Sequence, residues 1–223
     1  MSDSFWQRPE VVDMFANRDP DHRLVAWLGE RHPVGLSVLD IGCAGGRNTV
    51  YPAEQGADVY ALDRSPAMVA RTRQRLEPLL SPTEAERRVY HGPMSDLSMF
   101  AERQFDLVVA LGIYHVAQSF GEWQQTVAET ARVLKAGGEV LVAQFAPGSS
   151  PRGRSLTPIG DEPHLFTGFN DTDAIVLLTP EEMDAEMARY GFVPVTDTYA
   201  VRVDKEDGHH ITVNAHYRLD ITA

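Results

Sequence analysis

The chain has 223 residues, with 20 Lys and Arg against 32 Asp and Glu, a formal net charge of −12 and one cysteine, Cys43. That length suits one α/β domain with additions, the acidic balance argues against gripping a phosphate backbone, and a lone cysteine excludes an internal disulfide or a multi-cysteine metal centre. The first 24 residues lack a secretion signal's basic, apolar and cleavage pattern, and no apolar run approaches about 18 residues, so a cytoplasmic protein with neither membrane nor nucleic-acid partners is expected.

In chain order, Val11, Val12, Met14 and Phe15, then Leu24, Val25, Trp27 and Leu28, predict two helices within residues 9–31. LSVLDIG is an apolar run closed by Asp and Gly, the pattern of a strand covered on both faces, and DVYALD repeats it after a glycine turn and a helix. Ser65 and Pro66 predict a helix start, reaching about Leu76 and broken by LEPLLSPTEAERR. Arg71, Arg73 and Arg75 fan out along that helix and read as a solvated face. RVYHG, FDLVVALGIYH and EVLVAQFAP predict strands three, four and five. A weak helix is expected in MSDLSMFAERQ and a firmer one from about Gly121 to Leu134, with KAGGE as its glycine stop.

Residues 147–173 carry four prolines, Pro147, Pro151, Pro158 and Pro163, and read as a loop too long for a plain connection, suited to a lid or an acceptor pocket. TPEEMDAEMARYG predicts a helix capped by Thr179, with Pro180 first, Glu182 closing a capping box and Gly191 as stop. FVPVTDTYAVRV and HHITVNAHYRL flank DKEDG, a hairpin signature. Alternating strands and helices imply an α/β fold: a seven-stranded, mostly parallel sheet with a C-terminal antiparallel hairpin and helices on both faces.

In such a sheet, ligands bind at the carboxyl ends of the strands where strand order reverses. VLDIGCAGGRNTVYPAEQGADVYALD puts a glycine turn at such an end, where Gly42, Gly45 and Gly46 are expected to let backbone approach a ligand and Asp63 to accept hydrogen bonds from a ribose. A dinucleotide site uses the same logic. GCAGG, however, is not G-x-G-x-x-G, and Asp40 would set a negative charge beside a pyrophosphate. A ligand with a cationic or zwitterionic end tolerates that better.

In order and spacing, VLDIGCAGGRNT, ALDRSPAMVART, FDLVVALGIYHV and ARVLKAGGEVLVAQF resemble the first, second and fourth motifs of class I S-adenosylmethionine-dependent methyltransferases and the segment leading into their fifth strand. The resemblance covers nearly the whole chain, and GGRNT is also similar to tellurite-resistance methyltransferases. It implies a Rossmann-like fold, S-adenosyl-L-methionine as cofactor, and methyl transfer to a small-molecule acceptor at oxygen, nitrogen, sulfur or another chalcogen. By the resemblance, Gly42, Cys43, Ala44 and Gly46 border the methionine part, with Asp40 just before them. Asp63 holds the ribose hydroxyls, Arg64 lines the adenine edge, and Met68 packs on the adenine. The Met94 backbone meets adenine with Ser95 and Asp96 beside it, carbonyls at Ala110, Leu111 and Gly112 receive the ammonium, and Arg18 takes the carboxylate. Ala44 stands where the family has glycine, and Pro93 where it often has an acid that Asp96 can replace. The implied single domain divides into an N-terminal helical lid (1–36), a cofactor core (37–146), a lid or acceptor loop (147–178) and a closing helix and hairpin (179–223).

Methyl transfer from a sulfonium relies on alignment and needs a general base only when the acceptor must lose a proton. Tyr114 and His115, after strand four, are the catalytic candidates, with His115 read either as an orienting or basic group or as a packed histidine satisfied by a carbonyl. Trp6, beside Phe5, and Arg152, Arg154 and His164 are candidates for the acceptor pocket; their plainer readings are staple residues, a solvated pair and loop polarity. His209, His210 and His216 are not expected to bind a metal, because adjacent strand residues face opposite ways. ALGIYH lacks the Asp/Asn-Pro-Pro-aromatic arrangement of enzymes that methylate exocyclic amines. A non-catalytic S-adenosylmethionine-binding regulatory module and a nicotinamide-dependent oxidoreductase are the alternative functions, and a monomer or homodimer is expected.

Overall fold

The computed structural model describes residues 5–169 and 174–220. Two short amphipathic helices open it, α1 (Pro9–Ala16) and α2 (His22–Gly29). Then come β1 (Ser37–Ile41), α3 (Arg47–Glu54), β2 (Asp58–Asp63), α4 (Pro66–Leu76), α5 (Pro82–Arg88), β3 (Val89–His91) and β4 (Phe105–Leu111). After one 3₁₀ turn at Tyr114–Val116, α6 (Phe120–Val133) runs directly into β5 (Leu134–Phe145). The short strands β6 (Thr157–Pro158), β7 (Leu165–Thr167) and β8 (Ile175–Val176) precede α7 (Pro180–Ala188), β9 (Phe192–Pro194), β10 (Tyr199–Lys205) and β11 (Gly208–Leu219).

The main sheet runs β10-β11-β5-β4-β1-β2-β3. Its five inner and far strands are parallel, and β11 enters antiparallel beside β5. An eighth strand, β9, pairs with Tyr217–Leu219 of β11. The apolar runs of the central strands bury side chains on both faces because successive residues alternate. Leu39, Val108 and Val140 pack with Trp123 of α6 and Met183 of α7, while Val38, Val59 and Leu107 pack with Leu24 of α2, Val50 of α3 and Val69 of α4. Each such fully buried side chain contributes roughly 1.5–3 kcal/mol. Trp123 also satisfies its indole N–H, which donates to Gln144 Oε1 at 3.0 Å.

Several local expectations give way. The supposed helix breaker contains α5, started by the same Ser-Pro device as α4: the Ser81 hydroxyl accepts from the Glu84 amide at 3.1 Å, and Ala85 is fully buried. MSDLSMFAERQ is not helical, because side chains take its backbone groups: Asp96 accepts from the Ser98 amide, Glu129 from Leu97, Gln104 from Ala101, and Arg132 donates to the Leu97 and Phe100 carbonyls. KAGGE does follow the end of its helix, at Val133, and turns into the strand, but already lies within β5 as an irregularity, for Phe105 pairs with Leu134 but Leu107 with Glu139. β4 ends at Leu111, short of His115. Loop 147–173 carries β6 and β7, which with β8 form a small antiparallel sheet; its residues 170–173 lie outside the described residues.

The arginines of α4 are engaged rather than solvated. Arg71 pairs with Asp13 at 3.3 Å, Arg73 donates to the Val89 carbonyl at 2.7 Å, and Arg75 donates to the carbonyls of Ala16 and Gly45 at 2.7 and 3.1 Å. Fanning out lets one helix bind α1, β3 and the glycine turn at once. If the Ser81 cap holds α5, Ser81→Ala should lower stability by about 1 kcal/mol, read as a shifted urea midpoint with an unchanged slope.

Candidate functional site

Strand order reverses between β1 and β4, so a crevice opens at their carboxyl ends. The chain leaves β1 there in a turn whose Gly42 and Cys43 amides both donate to the Leu62 carbonyl of β2, at 2.8 and 3.1 Å. Gly42 has φ 72°, and a Cβ on it would lie 2.7 Å from the Ile113 side chain. Gly46 starts α3 at φ 86°, where a Cβ would come within 3.0 Å of Thr72. Close packing against the protein's own side chains and positive φ therefore demand glycine at both positions. Ala44 takes a left-handed conformation at φ 43°, which costs an L-residue roughly 1–2 kcal/mol. The open wall is at Gly112, after β4, where a Cβ would meet nothing within 4 Å.

Asp63, at the end of β2, ties the crevice together. Its Oδ2 accepts from the Ala44 amide at 2.9 Å and its Oδ1 from the Ser65 amide at 2.8 Å. Surrounding protein raises its pKa above the ordinary carboxylate value, against the lowering effect of those amides. The Ser65 hydroxyl accepts from the Met68 amide and donates to the Trp6 carbonyl at 3.0 Å, joining α4 to the N-terminal segment. Beneath the turn, Asp40 is 2% exposed and accepts from the Thr49 hydroxyl at 2.7 Å. Burial pushes its pKa up to about 7.

Around this frame Met68 is buried with Val11 and Val12, and Phe5, Trp6, Phe15 and Ala44 pack on the same cluster. Arg18 stacks over Phe15 at 4.3 Å. The N-terminal segment thus roofs the glycine turn. Met94 is buried, Ser95 half-buried and Asp96 exposed, and the exposed Arg64 offers its carbonyl to His91 Nε2 at 2.9 Å. The buried Cys43 thiol lies 3.3 Å from the Thr72 hydroxyl, and burial raises its pKa, so it is no nucleophile. Ala110 is buried and Leu111 half-buried at the β4 end, leading to the open Gly112. A carboxylate braced by amides, an apolar roof and a second buried acid fit a nucleoside with a cationic tail.

The residues after β4 part company. Tyr114 is fully buried toward α6, with its hydroxyl 2.7 Å from Thr130 Oγ1 and its ring against Trp123. Burial pushes the phenol up, so Tyr114 is a packing residue and not the catalytic candidate expected. His115 is 5% exposed, packs on Phe145 at 4.5 Å and leaves Nδ1 without a hydrogen-bond partner. His164 instead packs on Phe120 at 4.8 Å with Nδ1 3.7 Å from Glu182 of α7. Arg152 and Arg154 are exposed on a turn that Ser150 bridges to His209 of β11. His209 contacts the Gly148 carbonyl and His216 contacts Glu139, and no three metal-ligating side chains gather among the described residues. Phe145, Phe169 and His210 close around His115; Phe145 ends the ARVLKAGGEVLVAQF segment and His210 is legible in sequence only as a candidate metal ligand, while Phe169 has no signal beyond its place in the long loop.

Residues 39–142 match the family described as "Methyltransferase domain". Malonyl-[acyl-carrier protein] O-methyltransferase of Pseudescherichia vulneris is 32% identical over 175 residues, covering 78% of this chain and 62% of that one. The first three curated relatives are matched over only 62%, 44% and 37% of their own lengths. In fold, the chain is similar to the PH0226 protein of Pyrococcus horikoshii OT3, with TM-score 0.66, 18% identity, and 95% and 97% of the two chains covered. It is also similar to Burkholderia thailandensis 1,6-didemethyltoxoflavin-N1-methyltransferase with bound 1,6-didemethyltoxoflavin and S-adenosylhomocysteine, with TM-score 0.63, 23% identity, and 97% and 81% covered.

A carboxyl whose pKa is higher in the fold than in the unfolded chain favours folding fully below its unfolded value, near 3.8 for Asp40, and loses that contribution as pH rises through about 7. Asp40→Asn keeps an acceptor for Thr49 without the charge. Its stability relative to wild type should therefore grow between pH 4 and 8, by up to about 4 kcal/mol, in denaturant titrations at each pH.

Proposed function

Residues 39–142 belong to the methyltransferase-domain family, and from that premise we propose that the chain methylates a small molecule with S-adenosylmethionine bound at the crevice between β1 and β4. The observation that carries this reading is Asp63. Each of its oxygens takes an amide from the turn or from the start of α4, and each has capacity for a further donor, as a ribose diol requires. When bound, S-adenosylmethionine supplies a methyl on a positively charged sulfur, which an acceptor lone pair takes in line as the sulfur–carbon bond breaks.

In this reading Met68 backs the adenine, Arg64 and the Met94–Asp96 segment edge it, and Gly42, Cys43, Ala44 and Gly46 border the methionine. The β4 end, Ala110 to Gly112, receives the ammonium, with Asp40 below it. Arg18 takes the carboxylate from the roof. Residues 5–36 act as a lid over the 37–146 core, 147–169 and 174–178 with Trp6 and His115 border the acceptor, and 179–220 close the sheet edge; the remaining residues of these segments lie outside the described residues. The chain's contribution is alignment and exclusion of water, and well-oriented groups reach effective molarities of about 10⁵ M or more. Arg152, Arg154 and His164 stand farther out, bordering the entrance at most. A small acceptor suits a crevice roofed by helices, and no described helix is long and apolar enough to cross a membrane.

Ala44 in place of the family's glycine is a feature that would favour the non-catalytic reading. Ala44 supports the turn nonetheless, since its left-handed backbone delivers its amide to Asp63. Asp63→Ala should weaken S-adenosylhomocysteine binding about 10- to 100-fold, the worth of charge-assisted hydrogen bonds. It should also lower stability by about 1–3 kcal/mol, since two amides lose their acceptor. Calorimetry alongside thermal unfolding reads both, and unchanged affinity in a folded variant would contradict the ribose assignment.

A further inference from the structure

His115 is the one buried histidine whose surroundings the fold itself does not explain. It lies just beyond the open end of β4, 5% exposed, with Nδ1 buried and unpartnered. Three rings from three separate segments stand around it: Phe145 at the end of β5 at 4.5 Å, Phe169 from the following loop at 6.2 Å, and His210 of β11, which packs on Phe145 at 4.8 Å. Phe145 and Phe169 lie 4.8 Å apart with planes tilted by 35°. These three are only partly buried, so the cluster presents ring surface beside one buried polar atom. A stray core histidine would be satisfied by a neighbouring carbonyl, because an unpaired buried polar group costs about 1–3 kcal/mol.

Resting on the methyl-transfer reading above, we propose that the acceptor is a hydroxylated aromatic ring that packs against Phe145 and Phe169 and hydrogen-bonds through its hydroxyl to Nδ1 of His115. Aromatic faces and edges attract one another in offset and T-shaped arrangements, which the tilted rings of this recess offer. A hydroxyl both donates and accepts, so it can meet either tautomer of a neutral imidazole. His115 itself stays neutral, since burial holds it down to about 3, and burial with nearby Lys205 lowers His210. His115 is accordingly a binding residue that orients the acceptor and a poor proton sink.

The test titrates 1-naphthol, naphthalene and 2-decalol into the full chain already saturated with S-adenosylhomocysteine, for wild type, His115→Phe and His115→Asn. Wild type should prefer 1-naphthol over both others. The 1-naphthol to naphthalene affinity ratio should fall about fivefold in His115→Phe, one hydrogen bond's worth, and recover in His115→Asn. Should His115→Phe fail to fold, Phe145→Leu should narrow the preference for 1-naphthol over 2-decalol. Equal binding of 1-naphthol and 2-decalol, an unchanged ratio in His115→Phe, or no ring binding by the loaded protein would overturn the proposal. Failure of S-adenosylhomocysteine to bind at the outset would instead overturn the reading on which it rests.

Discussion

The Asp63 carboxylate holds three chain segments in register: the turn after β1 through the Ala44 amide, its own strand, and the start of α4 through the Ser65 amide. From Ser65 the linkage continues to the Trp6 carbonyl and so to the N-terminal roof. Arg75 repeats the device from the other end of α4, gripping the carbonyls of Gly45 and Ala16. The turn, the start of α4 and the N-terminal roof are thus tied together by hydrogen bonds before any ligand binds, which limits the ordering that a ligand must supply on binding. The cost is a carboxylate held with a raised pKa beside a buried second acid, Asp40, also raised. Two acids in so little solvent are an arrangement that a cationic ligand relieves.

The sheet was legible because strands buried on both faces are written as uninterrupted apolar runs, and β1, β2, β4 and β5 all are. α4 and α7 were legible because their Ser-Pro and Thr-Pro caps act locally. The same cap at Ser81-Pro82 was passed over because its helix is only seven residues long and holds one buried side chain, Ala85. Where tertiary partners take over the backbone, local signals mislead. Residues 94–104 have a helix's composition, yet Glu129 and Arg132 of α6 capture their amides and carbonyls. Lys135–Gly138 has a helix stop's composition and α6 does end just before it, at Val133; the stretch then forms the irregular, unpaired part of β5 between the Leu134 and Glu139 pairings with β4.

The same division runs through the site. Much of the proposed cofactor side lies within residues 40–68, a contiguous stretch whose strand, turn and helix are fixed by near neighbours, so motif order and spacing there carried the resemblance. Even there the reason for the glycines was hidden, since Ile113 and Thr72, which fill their Cβ positions, come from distant segments. The acceptor side is assembled from Phe145, Phe169, His210 and His115, single residues on four segments that no spacing rule connects. Adjacent Tyr114 and His115 look equivalent in sequence, and only the 3₁₀ turn that carries them sends one toward Thr130 and α6 and the other toward Phe145.

An adenosyl cofactor with a cationic tail and no pyrophosphate is the ligand this frame is proposed to hold. A calorimetric titration of the wild-type protein with S-adenosylhomocysteine and, separately, with NADH tests it most directly. Micromolar binding of S-adenosylhomocysteine with no heat from NADH is the predicted result. Binding of NADH without S-adenosylhomocysteine would contradict the account.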